Sequence, residues 1–401
     1  MPTDRGAAAL ESARSYEDRI VRFLREMIAI PAESGAEEAR CHRVLEEYKT
    51  LGFDEAYFDG LGSVIARIGS GPVTILMDGH IDCVGVGDRA QWDFDPFEGK
   101  HEDGAIWGRG AVDELPAIAA MAYGARILAD QGWPEAVTLY LSASVMEEDC
   151  DGYCMLHLIE REKVTPDYVV LGEPTDLDVY RGQRGRLEAT ITTKGKSAHG
   201  AHASHGINAL YKMAPIMTDV EELNTRLAHD EFLGTGSVIV SHIACTTPSL
   251  NAVPDSATIT IDRRLTVGET RETALEELRS LPHLGDAEVE LLEYDRTSWR
   301  GLRAQQSKYY PTWVVDEEHP LVQGVARAAA EVLPGQPKIS RWHFSTNGVA
   351  TMGTLGIPTV GFAPGLEELA HTTQEHVKID DLVKATAVYS LIPEALLADN
   401  D

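Results

Sequence analysis

A series of imidazole and carboxylate side chains follows short apolar segments of this sequence. The members are His80, Asp113, Glu147, Glu148, Glu173 and His371. Imidazole and carboxylate form the hard and borderline donor set that suits two divalent ions such as Zn²⁺, Mn²⁺ or Co²⁺. A single Asp or Glu is more often a solvated loop residue or a helix cap, so the prediction of a metal site depends on the whole series.

The apolar segments before these residues predict buried strands of a mainly parallel sheet. They are short, rich in Val, Ile and Leu, and separated by helical segments. They cover residues 73–77, 137–145, 168–171 and 358–362. Residues 16–28 and 36–51 carry apolar side chains at helical spacing, which predicts helices packed on that sheet. In α/β sheets ligands usually bind at the carboxyl ends of the strands, where these side chains emerge.

The middle of the chain predicts a different kind of unit. Its predicted order is strand 187–193, helix 206–227, strand 237–245, strand 257–265, helix 269–281 and strand 287–293. A β-α-β-β-α-β order is the signature of a split, ferredoxin-like unit. We therefore predict an α/β chain with a catalytic domain over residues 1–185, an inserted domain over 186–294, and a return to the catalytic domain over 295–401.

The ordered series resembles the M20 family of metallopeptidases and amidohydrolases. The match covers about residues 17–396 and consists of five ordered blocks with a split insert between the fourth and the fifth. The blocks are His80-x-Asp82, Asp113, Glu147-Glu148, Glu173 and His371. The resemblance implies that the insert is a lid and dimerisation domain, so that the protein forms a homodimer through it.

The resemblance also implies a role for each residue of the series. Asp113 would bridge two ions, with zinc as the first candidate and manganese or cobalt as alternatives. The other ligands would form two pairs, His80 with Glu173 on one ion and Glu148 with His371 on the other. Two acids would not bind metal: Asp82 would orient His80, and Glu147 would be the general base.

Further candidates for contacts with the substrate come from the same resemblance. His199 would reach the partner subunit's active site and stabilise the oxyanion. The substrate-binding candidates are Asn251, Arg263, Asn347, Arg184 and Arg341. Arginine suits a substrate carboxylate because its planar fork binds in bidentate fashion, although surface ion pairing is an equally common role for Arg263 or Arg264.

Two departures from the family pattern leave the substrate open. Many relatives follow the bridging Asp with Lys-Gly-Gly, whereas Asp113 is followed by Glu114-Leu115-Pro116, a more acidic and stiffer stretch. Residues 345–347 lack the acid that several deacylases carry in that turn. Residues 297–303 add aromatic and cationic groups, which indicate either a packed hinge or the border of a pocket for an aromatic anion.

The resemblance, together with the donor set, implies hydrolysis of a carbon–nitrogen bond by a metal-activated water. The first hypothesis is the amide of an N-acyl amino acid or a small peptide-like acid, so the partner is a small molecule that bears a carboxylate. The alternative is hydrolytic deamination of a small aromatic amine such as a nitroanthranilate. A third hypothesis, from another class, is a non-catalytic binding protein on the same fold.

Composition and charge exclude several classes of partner. The chain has 401 residues and a formal net charge of −29, which disfavours binding to nucleic acid or an anionic membrane. It has no apolar stretch of the ~20 residues that a membrane helix needs and no secretory signal at its start. Its five cysteines lack paired spacing, which argues against a disulfide framework and predicts a cytoplasmic protein.

Overall fold

The computed structural model describes residues 2–397. The helices are α1 (Asp4–Ser15), α2 (Glu17–Ile28), α3 (Glu38–Thr50), α4 (Leu115–Gln131), α5 (Tyr153–Glu160), α6 (Ala209–Leu223), α7 (Arg271–Arg279), α8 (Pro320–Val332), α9 (Gly348–Thr351) and α10 (Ile379–Leu397). The strands are β1 (Glu55–Phe58), β2 (Val64–Gly69), β3 (Val73–His80), β4 (Lys100–Glu102), β5 (Ala105–Trp107), β6 (Val137–Ser144), β7 (Tyr168–Leu171), β8 (Val179–Gln183), β9 (Gly185–Lys194), β10 (His229–Asp230), β11 (Gly234–Thr235), β12 (Ser237–Thr246), β13 (Ser256–Leu265), β14 (Glu288–Leu291), β15 (Glu293–Thr297), β16 (Arg303–Ser307), β17 (Tyr309–Tyr310), β18 (Trp313–Val314), β19 (Ile339–Trp342), β20 (Thr359–Gly361) and β21 (His376–Lys378). None of the helices within residues 2–397 combines the length and apolar character needed to cross a membrane.

The larger sheet is mainly parallel at its centre. Its strand order is β1-β2-β6-β3-β7-β20-β8-β18, with β19 beside β8. Strand β3 pairs in parallel with β6 and β7, and β7 pairs in parallel with β20. The antiparallel pairs, such as β1 with β2 and β18 with β8, lie toward the two edges. The predicted α/β fold class is confirmed, and the four predicted strands all form.

The central strands are buried because helices cover both faces of the sheet. Consecutive residues of β3, Ile75 to Met77, are almost fully buried, as expected for a parallel sheet covered on both sides. Helix α4 packs against β3 and α10. A Cβ at Gly124 of α4 would lie 2.7 Å from the Tyr389 Cβ, so a glycine is needed for this close approach of α4 and α10.

The insert forms a second sheet with its own hydrophobic core. Its strand order is β12-β13-β9-β14, and each of these neighbours pairs antiparallel. Numbered within the insert, that order is second, third, first, fourth, which is the arrangement of a ferredoxin-like β-α-β-β-α-β unit. Helices α6 and α7 contribute apolar residues to the separate core. The domain boundaries at residues 186 and 294 stay predictions.

Helix α1 is one of the elements that the apolar pattern did not reveal. Its buried residues are Gly6, Ala9 and Ala13, which carry little hydrophobic signal. A Cβ at Gly6 would lie 1.8 Å from the Glu331 carbonyl oxygen, so this small face lets α1 lie close against α8. Periodicity of large apolar residues could not predict a helix that packs through small ones.

Candidate metal centre

Parallel strands bring the candidate ligands to one edge of the sheet. Because β3 lies between β6 and β7 and pairs with both in parallel, the carboxyl ends of these three strands meet at that edge. His80 ends β3, Glu147 and Glu148 follow β6, and Glu173 follows β7. His371 comes from the segment after β20, which is the next strand beyond β7. Asp113 lies in the turn before α4.

Asp113 lies between the two histidines. Its Oδ1 is 2.8 Å from His80 Nε2, and its Oδ2 is 3.0 Å from His371 Nε2. On the first side, Glu173 Oε1 lies 3.8 Å from His80 Nε2. On the second side, Glu148 Oε1 lies 3.2 Å from His371 Nε2. One carboxylate therefore faces two donor groups, an arrangement that suits an acid bridging two ions.

Burial gives the centre an unusual electrostatic character. It raises the pKa of Glu147 and Glu173 well above the ordinary value, and it also raises the pKa of Glu148. Burial alone would raise the pKa of Asp113 as well, but the neighbouring His80 and His371 lower it below its usual range. The hydrogen bond to Asp113 raises the pKa of His371 to about 10. Carboxylates crowded in this way favour a cation beside them.

The donor atoms fit divalent ions. The described residues contain two groups in which all the donor atoms lie within 4.8 Å of one another. The first group is His80, Glu114 and Glu173, and the second is His80, Asp113 and Glu148. Glu147 Oε1 and Glu114 Oε2 are buried and have no hydrogen-bond partner within the described part of the chain. Oxygen and imidazole donors at these separations match the ligand sets of Zn²⁺, Mn²⁺ and Co²⁺.

Asp82 contacts both sides of the centre. The His80 Nδ1 lies 2.8 Å from the Asp82 carbonyl oxygen, whereas the Asp82 carboxylate Oδ1 is 3.7 Å away. That carboxylate accepts hydrogen bonds from the backbone N–H groups of Glu147 and Glu148, both at 3.2 Å. Asp82 therefore orients His80 through its backbone and the Glu147–Glu148 turn through its side chain.

Two acids in sequence serve one site because the chain bends before them. Side chains of adjacent residues diverge in a regular strand, so a bend is needed after β6. Met146 supplies it with a φ of 63°, in the left-handed region that non-glycine residues rarely adopt. Glu147 and Glu148 then both line the cavity.

A buried ion pair that the sequence reasoning missed ties two of the ligand loops together. Glu375 Oε1 accepts hydrogen bonds from the backbone N–H groups of Val112 and Asp113, at 3.0 and 3.1 Å. Its Oε2 accepts one from Arg109 Nη1, and Arg109 Nη2 donates to the His371 carbonyl oxygen at 3.4 Å. Both side chains of the pair are buried. The sequence shows Arg109 within a Gly-Arg-Gly turn, but no pattern in the sequence indicates that its partner is Glu375, 266 residues later.

A cavity of about 510 Å³ opens above the centre, within the range of small-molecule sites. Besides the six residues of the series, it is lined by Val84, Asp151, Arg186, Arg264, Phe344, Ser345, Glu367, Glu368 and Ala370. His371 is 48% exposed, whereas His80 is 1% exposed, so the centre opens toward the cavity on the His371 side.

The two lid arginines point to opposite faces of β13. Arg263, a predicted substrate-binding residue, is fully buried in the lid and bonds Glu269 and Glu277. Arg264 lines the cavity instead and is held by Asp262, with its Nε 2.7 Å from Oδ1. Successive residues of a strand alternate faces, and the sequence pattern alone does not say which face meets the site.

Asn347, Arg184 and Arg341 lie near the cavity without lining it. Asn347 is buried and donates to Asp78 Oδ2 at 2.8 Å and to Ser144 Oγ at 3.1 Å. Arg184 and Arg341 are half-buried, and Arg184 Nε donates to the Leu233 carbonyl oxygen at 3.0 Å. Burial lowers the pKa of Arg184, and the nearby charges of Arg341 and Arg264 lower it further.

His199 and Asn251 lie together on the surface of the lid. Both are exposed, and the Gly200 N–H donates to the Asn251 carbonyl oxygen at 2.7 Å. Neither belongs to the described lining of the cavity. Within one chain, these two residues are therefore outside the candidate site.

The aromatic segment 297–303 packs away from the cavity. The Trp299 ring lies 5.3 Å from the Phe58 ring and 6.1 Å from the His42 ring, on the surface of the larger domain. Its Nε1 donates to the Gly62 carbonyl oxygen at 3.2 Å. Among the described lining residues Phe344 is the aromatic one, so this segment supplies no aromatic pocket.

The α/β sheet edge, the two histidines and the acid that lies between them form the arrangement of a metal-dependent hydrolase. The chain belongs to peptidase family M20/M25/M40, whose profile matches residues 76–395. Members of this family act on carbon–nitrogen bonds, and the resemblance inferred from the five ordered blocks is confirmed.

Individual relatives cover nearly the whole chain. It is 46% identical over 391 residues to the uncharacterized protein YgeY of Escherichia coli (strain K12), covering 97% of each chain. It is 28% identical over 388 residues to succinyl-diaminopimelate desuccinylase 2 of Shewanella loihica, covering 92% of this chain and 98% of the relative. The crystal structure of the M20 family metallo-carboxypeptidase Sso-CP2 from Sulfolobus solfataricus has the same fold, with a TM-score of 0.75 at 19% identity, covering 94% of this chain and 99% of that chain.

Proposed function

We propose that the protein hydrolyses the amide bond of an N-acyl amino acid or small peptide-like acid at a centre of two divalent ions. The observation that carries this proposal is the position of Asp113, whose two oxygens lie 2.8 and 3.0 Å from the imidazoles of His80 and His371. The relative named succinyl-diaminopimelate desuccinylase 2 supports an acylated amino acid as the substrate class.

The chain would hold the two ions with ligands from both sides of Asp113. His80 and Glu173 belong to one ion, Glu148 and His371 to the other. Bound divalent ions polarise a carbonyl oxygen and lower the pKa of a water molecule. Zinc, manganese and cobalt all match the donors.

Glu147 moves the proton in this proposal. It lies beside the ligands, with Oε2 3.9 Å from His80 Nε2, and its buried Oε1 has no hydrogen-bond partner in the described chain. Burial and the nearby Asp151 raise the pKa of Glu147, which suits a group that takes a proton from water and returns it to the leaving amine.

A carboxylate on the substrate would meet the arginines at the edge of the cavity. Arg264 lines the cavity, and burial with the nearby charges of Arg341 and Arg264 lowers the pKa of Arg184. In a chain of net charge −29, a group of cations beside a substrate cavity supports an anionic substrate.

The lid would act across a homodimer. His199 and Asn251 lie together, exposed and away from the cavity of their own chain, so they are free to enter the site of a second copy. Strand β12 is an edge strand of the lid sheet and exposes Ile239 and Ile243. An exposed apolar edge strand is suited to pairing with another chain.

Product analysis on metal-loaded enzyme tests the proposal. A panel of N-succinyl and N-acetyl amino acids, dipeptides and aminobenzoates would be incubated with wild type and with Glu147→Gln. We expect a free amino acid from an acylated member of the panel with wild type and almost none with the variant. Ammonia from the aromatic amines would instead support deamination, and turnover that the variant retains would contradict the assigned mechanism.

A further inference from the structure

Glu114 is a buried acid beside the centre that the proposed function does not use. It follows Asp113, where the sequence departs from the Lys-Gly-Gly of many relatives. It is 2% exposed, and its Oε1 accepts a hydrogen bond from the backbone N–H of His80. Its Oε2 is buried and has no hydrogen-bond partner in the described chain. Such a carboxylate oxygen is costly to bury unless a cation or a donor meets it.

The Glu114 carboxylate lies where a ligand of the His80 ion would lie. One of its oxygens, a ring nitrogen of His80 and an oxygen of Glu173 all lie within 4.8 Å of one another. Two ligands on opposite sides of one ion, each at the ~2.0–2.2 Å typical of such bonds, are separated by no more than about this distance. The hydrogen bond to His80 N also fixes the Glu114 side chain close to the imidazole that would bind the same ion.

We infer that Glu114 is a further ligand of the ion held by His80 and Glu173, and that it raises the affinity of this half of the centre for Mn²⁺ more than for Zn²⁺. This inference rests on the proposed two-metal site. With Glu114, the His80 half offers one nitrogen and three carboxylates, including Asp113. The His371 half offers one nitrogen and two carboxylates.

The chemical reason lies in the preferences of the two ions. Carboxylate-rich, six-coordinate sites suit Mn²⁺, whereas Zn²⁺ prefers four ligands with nitrogen or sulfur among them. A third carboxylate therefore benefits Mn²⁺ more than Zn²⁺. The chain thus favours the harder ion on its deeply buried side, where His80 is 1% exposed.

Metal titration of the whole protein tests this inference directly. Wild type and Glu114→Gln would be stripped with chelator and titrated with Mn²⁺, followed by its electron paramagnetic resonance signal, and with Zn²⁺ against a chromophoric chelator. We expect one of the two Mn²⁺ dissociation constants of the variant to rise roughly 10- to 100-fold, with a smaller rise for Zn²⁺. Unchanged Mn²⁺ binding, or equal losses for the two metals, would overturn the inference.

A matched control is Asp78→Asn. Asp78 is 1% exposed and lies two residues before His80. Its Oδ1 has no hydrogen-bond partner in the part of the chain that the structure describes, and Asp78 belongs to neither group of donor atoms found there. The substitution Asp78→Asn removes a buried negative charge close to Glu114 without removing a proposed ligand. The ratio of Mn²⁺ to Zn²⁺ affinity should therefore stay that of wild type. The same change of ratio in Asp78→Asn would show that charge alone acts, and would overturn the assignment of Glu114 as a ligand.

A second variant guards against misfolding. Glu114→Asp keeps the negative charge, but its shorter side chain holds the carboxylate oxygens farther from the proposed ion. If Glu114 is a ligand, this variant should also lose Mn²⁺ affinity selectively. Retention of full Mn²⁺ affinity by a folded Glu114→Asp would contradict it. Wild type that binds fewer than two ions would instead contradict the proposed function, which separates the two failures.

Discussion

Glu147 and Glu148 show how two adjacent residues take different positions in the site. They are neighbours in sequence, yet Glu148 Oε1 lies 3.2 Å from His371 Nε2, while the buried Glu147 Oε1 has no hydrogen-bond partner among residues 2–397. Met146 and the Asp82 carboxylate hold the turn in which both face the cavity. The residue types could be predicted from the ordered blocks, but the backbone that separates their roles could not.

The variant Glu147→Gln should lose turnover and keep its metal. Gln fills the same volume but cannot take the proton, so we expect kcat to fall roughly 10²- to 10⁴-fold. Metal content by elemental analysis should match wild type. The control Glu148→Gln removes a ligand and should lose metal as well as activity; equal metal loss in both variants would contradict the division of roles.

Glu37 predicts a pH dependence of stability. Burial, with the nearby Asp82 charge, raises the pKa of Glu37 from 4.5 to about 7. A carboxyl group with a raised folded pKa contributes stability that is fully present below the unfolded pKa and is lost as pH rises through the folded pKa. The charged form therefore destabilises the native state above pH 7.

Glu37→Gln should remove that dependence. Gln can still accept the N–H groups of Gly35 and Met146, at 2.8 and 3.1 Å. Its free energy of unfolding should match wild type below pH 4.5 and exceed it above pH 7, by up to about 3 kcal/mol. Urea unfolding at pH values on either side of this window checks it, and a constant difference across the window would contradict the assigned pKa.

At the scale of elements, the strands were predictable and the contacts between loops were not. The strands β3, β6, β7 and β20 follow from short apolar runs, because a sheet covered on both faces needs them. The pairing of Arg109 with Glu375 joins segments far apart in sequence, and nothing local signals it. The sequence also could not predict which face of β13 meets the cavity, because Arg263 and Arg264 are adjacent residues of the same type.

The Arg109–Glu375 pair should be essential for holding together the loops that carry Asp113 and His371. Glu375→Ala leaves the buried Arg109 charge unpaired and removes the acceptor for the Val112 and Asp113 N–H groups. Breaking a buried pair in this way destabilises a protein by about 3–5 kcal/mol. Urea unfolding measures the loss, and metal affinity should fall with it.

The matched control for this variant is Glu288→Ala. Glu288 pairs with Lys194 on the lid surface, where both side chains are more than half exposed. Exposed pairs contribute about 1 kcal/mol or less. If the two variants lost the same stability, the pair at Glu375 would not hold the loops as described.

The described part of the molecule combines two large sheets with separate cores, and the sequence order of the insert predicted this arrangement. The order β-α-β-β-α-β and the sheet order agree because only one arrangement of those elements gives a ferredoxin-like sheet. The surface that would join two copies in the proposed homodimer could not be predicted from the sequence, since exposed apolar residues are common on any surface. The proposed homodimer therefore rests on the position of His199 and Asn251 together with the exposed edge strand β12.

If two copies assemble through β12, a single charged side chain introduced on that strand should prevent dimer formation. Ile243 is 46% exposed on this edge strand, and Ile243→Lys should convert the dimer to a monomer and reduce activity, because His199 could no longer reach a second site. Sedimentation velocity measures the change. Val267, 47% exposed on the lid but outside β12, provides the control Val267→Lys. A wild-type monomer with full activity would contradict the shared site.

The central claim is a centre of two ions bridged by Asp113, and metal content tests it most directly. Protein purified without chelator and the variant Asp113→Ala would be measured by elemental analysis, before and after reconstitution with zinc, manganese or cobalt. The account predicts about two ions per chain in wild type and loss of most of them in the variant, because the bridging carboxylate belongs to both ions. Wild type without stoichiometric metal after reconstitution, or a variant that keeps both ions, would contradict it.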